Sequence, residues 1–156
     1  MNAFNIVLFQ PEIPQNTGTI GRLAVSNDCR LHLIEPLGFS LEDKYLKRAG
    51  LDYWQHLNPT IHRSWEAFLE AEKPERMFFI STHGEKNFFD AEYKLGDYLI
   101  FGRESSGLPP EFYEKYMDDM WLIPMTGKFS RSLNLANAVS ITLYEAMRQN
   151  RDVLDI

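Results

Sequence analysis

Apolar residues in this chain fall in short, nearly unbroken runs separated by stretches with helical spacing. Phe4-Asn-Ile-Val-Leu-Phe9, Arg30-Leu-His-Leu-Ile34, Arg76-Met-Phe-Phe-Ile80, Tyr98-Leu-Ile-Phe101 and Trp121-Leu-Ile123 read as buried strands. Runs without polar alternation suit a parallel sheet covered on both faces. Between them lie helices with recognisable starts. One is expected to begin near Asn16. Another follows Ser40, with Asp43 three residues on and Gly50 as its stop, like a capping box and a C-cap. Ser64 precedes Trp65, Phe68 and Leu69, which share one helical stripe, and Pro109 and Pro110 open a short helix to Tyr116. The last helix is expected from about Ser132 to Gln149, burying Leu133, Ala136, Leu143, Tyr144 and Met147. Strands alternating with helices predict an α/β fold, a mostly parallel sheet with helices on both faces.

Composition narrows this picture. The chain has 156 residues, 44% of them hydrophobic and 24% charged, which suits one globular domain over residues 1–156 and excludes disordered or fibrous classes. Residues 4–9 are too short to span a bilayer and lack a basic leader, so neither a membrane segment nor a signal peptide is expected. Cys29 is the single cysteine, which leaves no intrachain disulfide or cysteine metal site, and a cytoplasmic protein is the expectation. His32, His56, His62 and His83 show no metal-ligand spacing, so no metal is expected.

The net charge of −6 argues at first against a nucleic-acid partner. Its distribution softens that objection. Residues 1–63 carry six Lys/Arg and six Asp/Glu, whereas residues 64–156 carry ten against sixteen. Lys44, Lys47 and Arg48 gather in one helical stretch of the balanced part. They form a local phosphate-binding patch or simply a solvated helix face.

Three loops, each after an apolar strand, look like more than connections, and open α/β sheets bind ligands beyond the carboxyl ends of their strands. The first is Pro11-Glu-Ile-Pro-Gln-Asn-Thr-Gly18 leading to Arg22, where Asn16 suits a helix N-terminus. The second is Phe101-Gly-Arg-Glu-Ser-Ser-Gly-Leu-Pro109, with Glu104 between Gly102 and Gly107 as an acceptor for ligand hydroxyl or amino groups. It lacks the Lys-Ser/Thr of a phosphate loop and the Gly-x-Gly-x-x-Gly of a dinucleotide site, which disfavours a kinase or oxidoreductase. The third is Ile123-Pro-Met125 followed by Ser132-Leu-Asn134, where amide groups of a helix N-terminus also point outward. Asn137, in an otherwise apolar helix, is expected to be a buried amide in need of a partner. Each loop alone reads equally well as a capped or glycine-rich turn.

Together the three loops resemble the three motifs of the SPOUT superfamily of RNA 2'-O-methyltransferases, in its SpoU-type branch. The likeness runs from about Phe4 to Gln149. It is closest to the minimal tRNA (cytidine/uridine-34-2'-O)-methyltransferase subfamily. That subfamily is similar in residues 11–18, in Arg30-Leu-His-Leu-Ile-Glu-Pro-Leu-Gly-Phe39 and Arg48-Ala-Gly-Leu-Asp-Tyr53, and in having no separate RNA-binding extension. The resemblance implies a C-terminal trefoil knot, which generic topology rules argue against. It implies a homodimer with active sites at the interface, and transfer of a methyl group from S-adenosyl-L-methionine to the ribose 2'-hydroxyl of the wobble nucleotide of tRNA. The products are the methylated RNA and S-adenosyl-L-homocysteine.

Position by position, the resemblance assigns the cofactor to Ile80, Thr82, Gly102, Glu104, Ile123, Ser132 and Leu133. It assigns catalysis to Arg22, Asn16, Glu104, Ser132 and Asn134, with Arg22 nearest the reacting hydroxyl. A guanidinium has a pKa above about 12 and is not deprotonated in proteins, so Arg22 is expected to grip phosphate and stabilise the developing alkoxide. Asn16 is expected to hold Arg22 or the ribose. Lys44, Lys47, Arg48 and Arg63 are the candidates for gripping the anticodon stem-loop, contacts that position RNA without reading it. A non-catalytic RNA-binding shell, and the same chemistry on ribosomal RNA or another tRNA position, remain open at this level.

Overall fold

The computed structural model describes residues 2–156 and holds one seven-stranded sheet, in the order β3-β2-β1-β6-β4-β7-β5, with every pairing parallel. The strands are β1 (Asn5–Phe9), β2 (Arg30–Ile34), β3 (Thr60–His62), β4 (Met77–Ile80), β5 (Lys86–Asn87), β6 (Tyr98–Phe101) and β7 (Met120–Leu122). The helices are α1 (Pro14–Ser26), α2 (Lys44–Gly50), α3 (Trp65–Glu72), α4 (Pro110–Tyr116), α5 (Leu135–Gln149) and α6 (Arg151–Leu154). Among the described residues no helix is long and apolar enough to cross a membrane.

Successive residues of β1 explain the layers. Ile6 and Leu8 pack with Leu31, Leu33, Leu99 and Phe101 beneath α1 and α5. Val7 and Phe9 face the other side, with Ile34, Phe79 and Ile100, beneath α3 and α4. Every residue of β1 is buried, as its unbroken apolar run implies. The second layer is aromatic: the Trp65 indole N–H donates to the Tyr116 hydroxyl (3.1 Å), and Tyr116 stacks on Phe79 at 4.6 Å.

The five expected strands form to within a residue or so, but β3 and β5 were not foreseen. Both are short edge strands, and the β5 pair Lys86-Asn87 carries no apolar signal. The helix expected after Ser40 begins four residues later. Asp43, not Ser40, caps it, its carboxylate accepting from the Tyr45 and Leu46 N–H groups (2.8 and 3.4 Å), while the Ser40 hydroxyl accepts from Glu42 N–H in a local turn. The last helix begins at Leu135 with Asn134, not Ser132, as its cap. Asn137 is exposed and needs no buried partner, and Tyr144 is 53% exposed rather than buried.

Gly18 sets how closely α1 and α2 cross: a Cβ there would lie 2.2 Å from the Leu46 carbonyl oxygen. This approach brings Tyr53, in the 3-10 segment Leu51–His56, beside α1, where its ring meets the Arg22 guanidinium at 5.6 Å.

A polar network is buried where β2, β3 and α3 meet. His32 lies 3.0 Å from His62 through Nδ1 and 3.1 Å from the Asn5 side-chain oxygen through Nε2. Because that oxygen only accepts, His32 Nε2 carries the hydrogen and His62 donates to His32 Nδ1. Glu72 pairs with both terminal guanidinium nitrogens of Arg30 and accepts from the Tyr98 hydroxyl. His32, His62 and Glu72 thus come within 4.8 Å of one another, which their sequence spacing did not suggest. Each already has partners within the chain. Burial pushes His32 down to about 4 and also lowers His62. The unfolded chain therefore binds a proton that the folded chain refuses between pH 6.5 and 4, so stability falls as pH falls through that window. Urea titrations should show about 2–4 kcal/mol lost there, and His32→Gln should flatten the slope. An unchanged slope in that variant would remove His32 as the cause.

Candidate active site

The carboxyl ends of four adjacent strands, β1, β6, β4 and β7, surround a cleft of about 560 Å³. That volume suits a small-molecule site. The loop after β1 and the loop after β6 form two of its walls and clasp each other. Glu104 accepts the N–H groups of Glu12 (2.8 Å) and Ile13 (2.9 Å) and the Asn16 amide (3.3 Å). In return, the Glu12 carboxylate accepts the Ser105 N–H (2.9 Å) and hydroxyl (2.8 Å). The Ser105 N–H, then its hydroxyl, hold the Glu12 carboxyl below the usual carboxylate range. Glu104 was expected to be an acceptor for ligand groups. Most of its acceptor capacity is instead taken by the first loop, so it shapes the cleft while still lining it.

The third wall joins through amides. The Asn134 amide donates to the Asn16 side-chain oxygen (3.0 Å), and the Asn134 oxygen caps α5 by accepting the Asn137 N–H (3.1 Å). One hydrogen-bonded line therefore runs from α5 through Asn134 and Asn16 to Glu104, tying together all three motif loops. Gly102 makes the β6 loop possible. A Cβ there would lie 2.4 Å from the Gly107 carbonyl carbon and 2.5 Å from the Leu108 nitrogen, both backbone atoms that cannot swing aside. Overpacking of this kind costs about 1–3 kcal/mol. Gly102→Ala should therefore weaken ligand binding in the cleft by about tenfold, as calorimetry would read; unchanged affinity would mean the loop yields freely.

All seven positions assigned to the cofactor line the cleft: Ile80 and Thr82 beyond β4, Gly102 and Glu104 beyond β6, and Ile123, Ser132 and Leu133 beyond β7. Asn16 and Asn134 line it too. The lining combines apolar Ile80, Ile123 and Leu133 with polar Thr82, Ser132 and Asn134, a set that fits an amphipathic molecule of nucleoside size.

Arg22 does not line the cleft. It is exposed on the third turn of α1 against Tyr53, about 120° around the helix from Asn16. Asn16 does not hold it, since the Asn16 amide is engaged by Glu104 and Asn134.

Lys44, Lys47 and Arg48 lie exposed on α2, away from the cleft. Lys44 and Arg48 flank the Tyr45 ring, and Lys47 pairs with Glu42 at 2.6 Å. Arg63 follows β3, at the edge of the sheet. Among the lining residues that the sequence reading did not assign to the site are His83 beyond β4 and Tyr113 on α4, whose rings meet edge to face at 5.1 Å. His83 follows a strand end and so had a signal; Tyr113 had none.

The SpoU rRNA Methylase family model matches residues 3–144. The chain belongs to this family. It is 52% identical, over 94% of its length, to the tRNA (cytidine(34)-2'-O)-methyltransferase of Saccharophagus degradans, and the match spans 95% of that relative. A solved putative RNA methyltransferase of Bacillus anthracis is 48% identical and superposes with a TM-score of 0.87, covering 95% of this chain and 94% of that one. The SpoU methyltransferase AviRb of Streptomyces viridochromogenes, solved with the cofactor AdoMet, is 26% identical with a TM-score of 0.81 over 96% of this chain and 59% of its own.

Proposed function

We propose that this SpoU-family chain transfers a methyl group from S-adenosyl-L-methionine to the ribose 2'-hydroxyl of cytidine or uridine 34, the wobble nucleotide of tRNA. The observation that carries the reading is the cleft itself, where the three motif loops are tied by the Asn134–Asn16–Glu104 line at the ends of four parallel strands. The names of the Saccharophagus relative and of the cofactor-bound AviRb structure support substrate and cofactor respectively.

When bound, the cofactor supplies an electrophilic sulfonium methyl. Ile80, Thr82, Gly102, Ile123, Ser132 and Leu133 would hold it, and Asn16, Glu104 and Asn134 fix the walls around it. The chain's own tasks are then to align a 2'-hydroxyl with that methyl and to stabilise the oxygen as its proton leaves. Arg22 is the residue for the second task. Because it stands outside its own cleft, it acts in a homodimer, where one copy's Arg22 completes the other copy's site. Exposed apolar Ile13, Ile141 and Tyr144 on the loop before α1 and on α5 support such a contact. Arg22 grips the adjacent phosphate, and the proton leaves through phosphate or water. The proposal also takes in a single domain, the C-terminal knot typical of the superfamily, a cytoplasmic location and phosphate contacts by Lys44, Lys47, Arg48 and Arg63.

Calorimetry should show S-adenosyl-L-homocysteine binding, with NAD and ATP silent, and turnover should survive chelation of metals. Preferential binding of either nucleotide would overturn the assignment. Sedimentation should give a particle of twice 18.2 kDa at micromolar concentration. A monomer that still methylates RNA would refute the shared site.

A further inference from the structure

Between β7 and α5, residues 126–131 stand clear of the body of the protein. All are exposed, and a Cβ placed on Gly127 would meet nothing within 4 Å. Both ends of this loop are anchored in the cleft, by Ile123 and Met125 on one side and Ser132 on the other. At its crest is Phe129, 88% exposed, the most exposed of the large hydrophobic side chains among the described residues. A Phe left that bare gains nothing for the fold. Lys128 lies 5.7 Å from its ring and Arg131 two residues beyond, both exposed cations that form no ion pair among the described residues. Ser132 lies three positions after Phe129, so the Phe129 Cα is within about 11 Å of the cleft wall.

An exposed aromatic ring flanked by two exposed cations, tethered at the mouth of a nucleoside-sized cleft, has the makings of a single-stranded RNA contact. Unstacked bases settle on aromatic faces, and flanking cations take the phosphates. We propose that Phe129 is a stacking platform for the base of the target nucleotide, with Lys128 and Arg131 on the neighbouring phosphates. The inference rests on the RNA-methylating reading above. Stacking would hold a splayed base while its ribose sits in the cleft, and it favours any base with a π face over none.

The test uses the full chain, S-adenosyl-L-methionine and two anticodon stem-loop RNAs, one with cytidine and one with an abasic ribose at the target position. Phe129→Ala should raise KM for the cytidine RNA by about tenfold, within the range typical of a lost base stack. It should leave KM for the abasic RNA, S-adenosyl-L-homocysteine affinity and Tm unchanged. Phe129→Trp should restore the wild-type KM. An equal rise with both RNAs, or no rise with either, would overturn the stacking role while wild-type turnover stands. A wild-type chain that methylates neither RNA would instead sink the parent reading.

Discussion

Arg22→Ala should cut methyl transfer by about 10²–10³-fold, the usual cost of losing one donor to a developing oxyanion. Affinity for S-adenosyl-L-homocysteine should not change, because Arg22 lines no part of the cleft in its own chain. Arg22→Lys should recover little, since an ammonium cannot reproduce the planar fork that grips phosphate and alkoxide together. The location of Arg22 adds a sharper expectation. Co-expressing Arg22→Ala with Gly102→Val chains gives mixed dimers in which one copy keeps an intact cleft and its partner keeps an intact Arg22. If the arginine acts across the interface, random pairing should restore about a quarter of wild-type turnover from two inactive variants. No recovery in demonstrably mixed dimers would place Arg22 in the service of its own chain.

Glu104→Ala should be the most damaging change inside the cleft. It strands the N–H groups of Glu12 and Ile13 and the Asn16 amide, all of which now end on one carboxylate. Hydrogen bonds to a charged group contribute about 1.5–3 kcal/mol, and an unpaired donor costs a comparable amount. The expected result is S-adenosyl-L-homocysteine binding weakened by about 100-fold and a Tm lower by about 5 °C. Glu104→Gln should recover only part, because its NH₂ would face donors rather than accept from them. Unchanged Tm and affinity in both variants would mean that the two loops hold their shape without the clasp.

How much of this was legible in advance depends on how local each feature is. The central strands announced themselves because burial on both faces demands unbroken apolar runs, as in residues 4–9. The edge strands β3 and β5 need no such run and left no trace. Helix starts were ambiguous where two capping residues stood close together: Ser40 and Ser132 were the expected caps, and Asp43 and Asn134 do the work. Asn137 looked buried only because its neighbours are apolar; its own position on α5 faces outward.

The three motif loops could be seen as unusual one at a time, but not how they are joined. Asn134 and Asn16 are 118 residues apart, and Glu104 lies 88 from Asn16. Their meeting follows from the parallel order β1-β6-β4-β7, which puts four carboxyl ends side by side. The same holds for His32 and His62, strangers in sequence until β2 and β3 pair in register. Arg22 stands outside the cleft of its own chain for a geometric reason. Six residues of helix turn it away from Asn16, so spacing alone could not seat both in one cleft.

The most direct test of the central claim is to find the methyl group. Unmodified tRNA incubated with the purified chain and methyl-labelled S-adenosyl-L-methionine, then cut with nucleases and read by mass spectrometry, should carry one added methyl. It should sit on the ribose of nucleotide 34. A methyl on a base, on a ribose elsewhere in the tRNA, or only on ribosomal RNA offered in parallel would contradict the account.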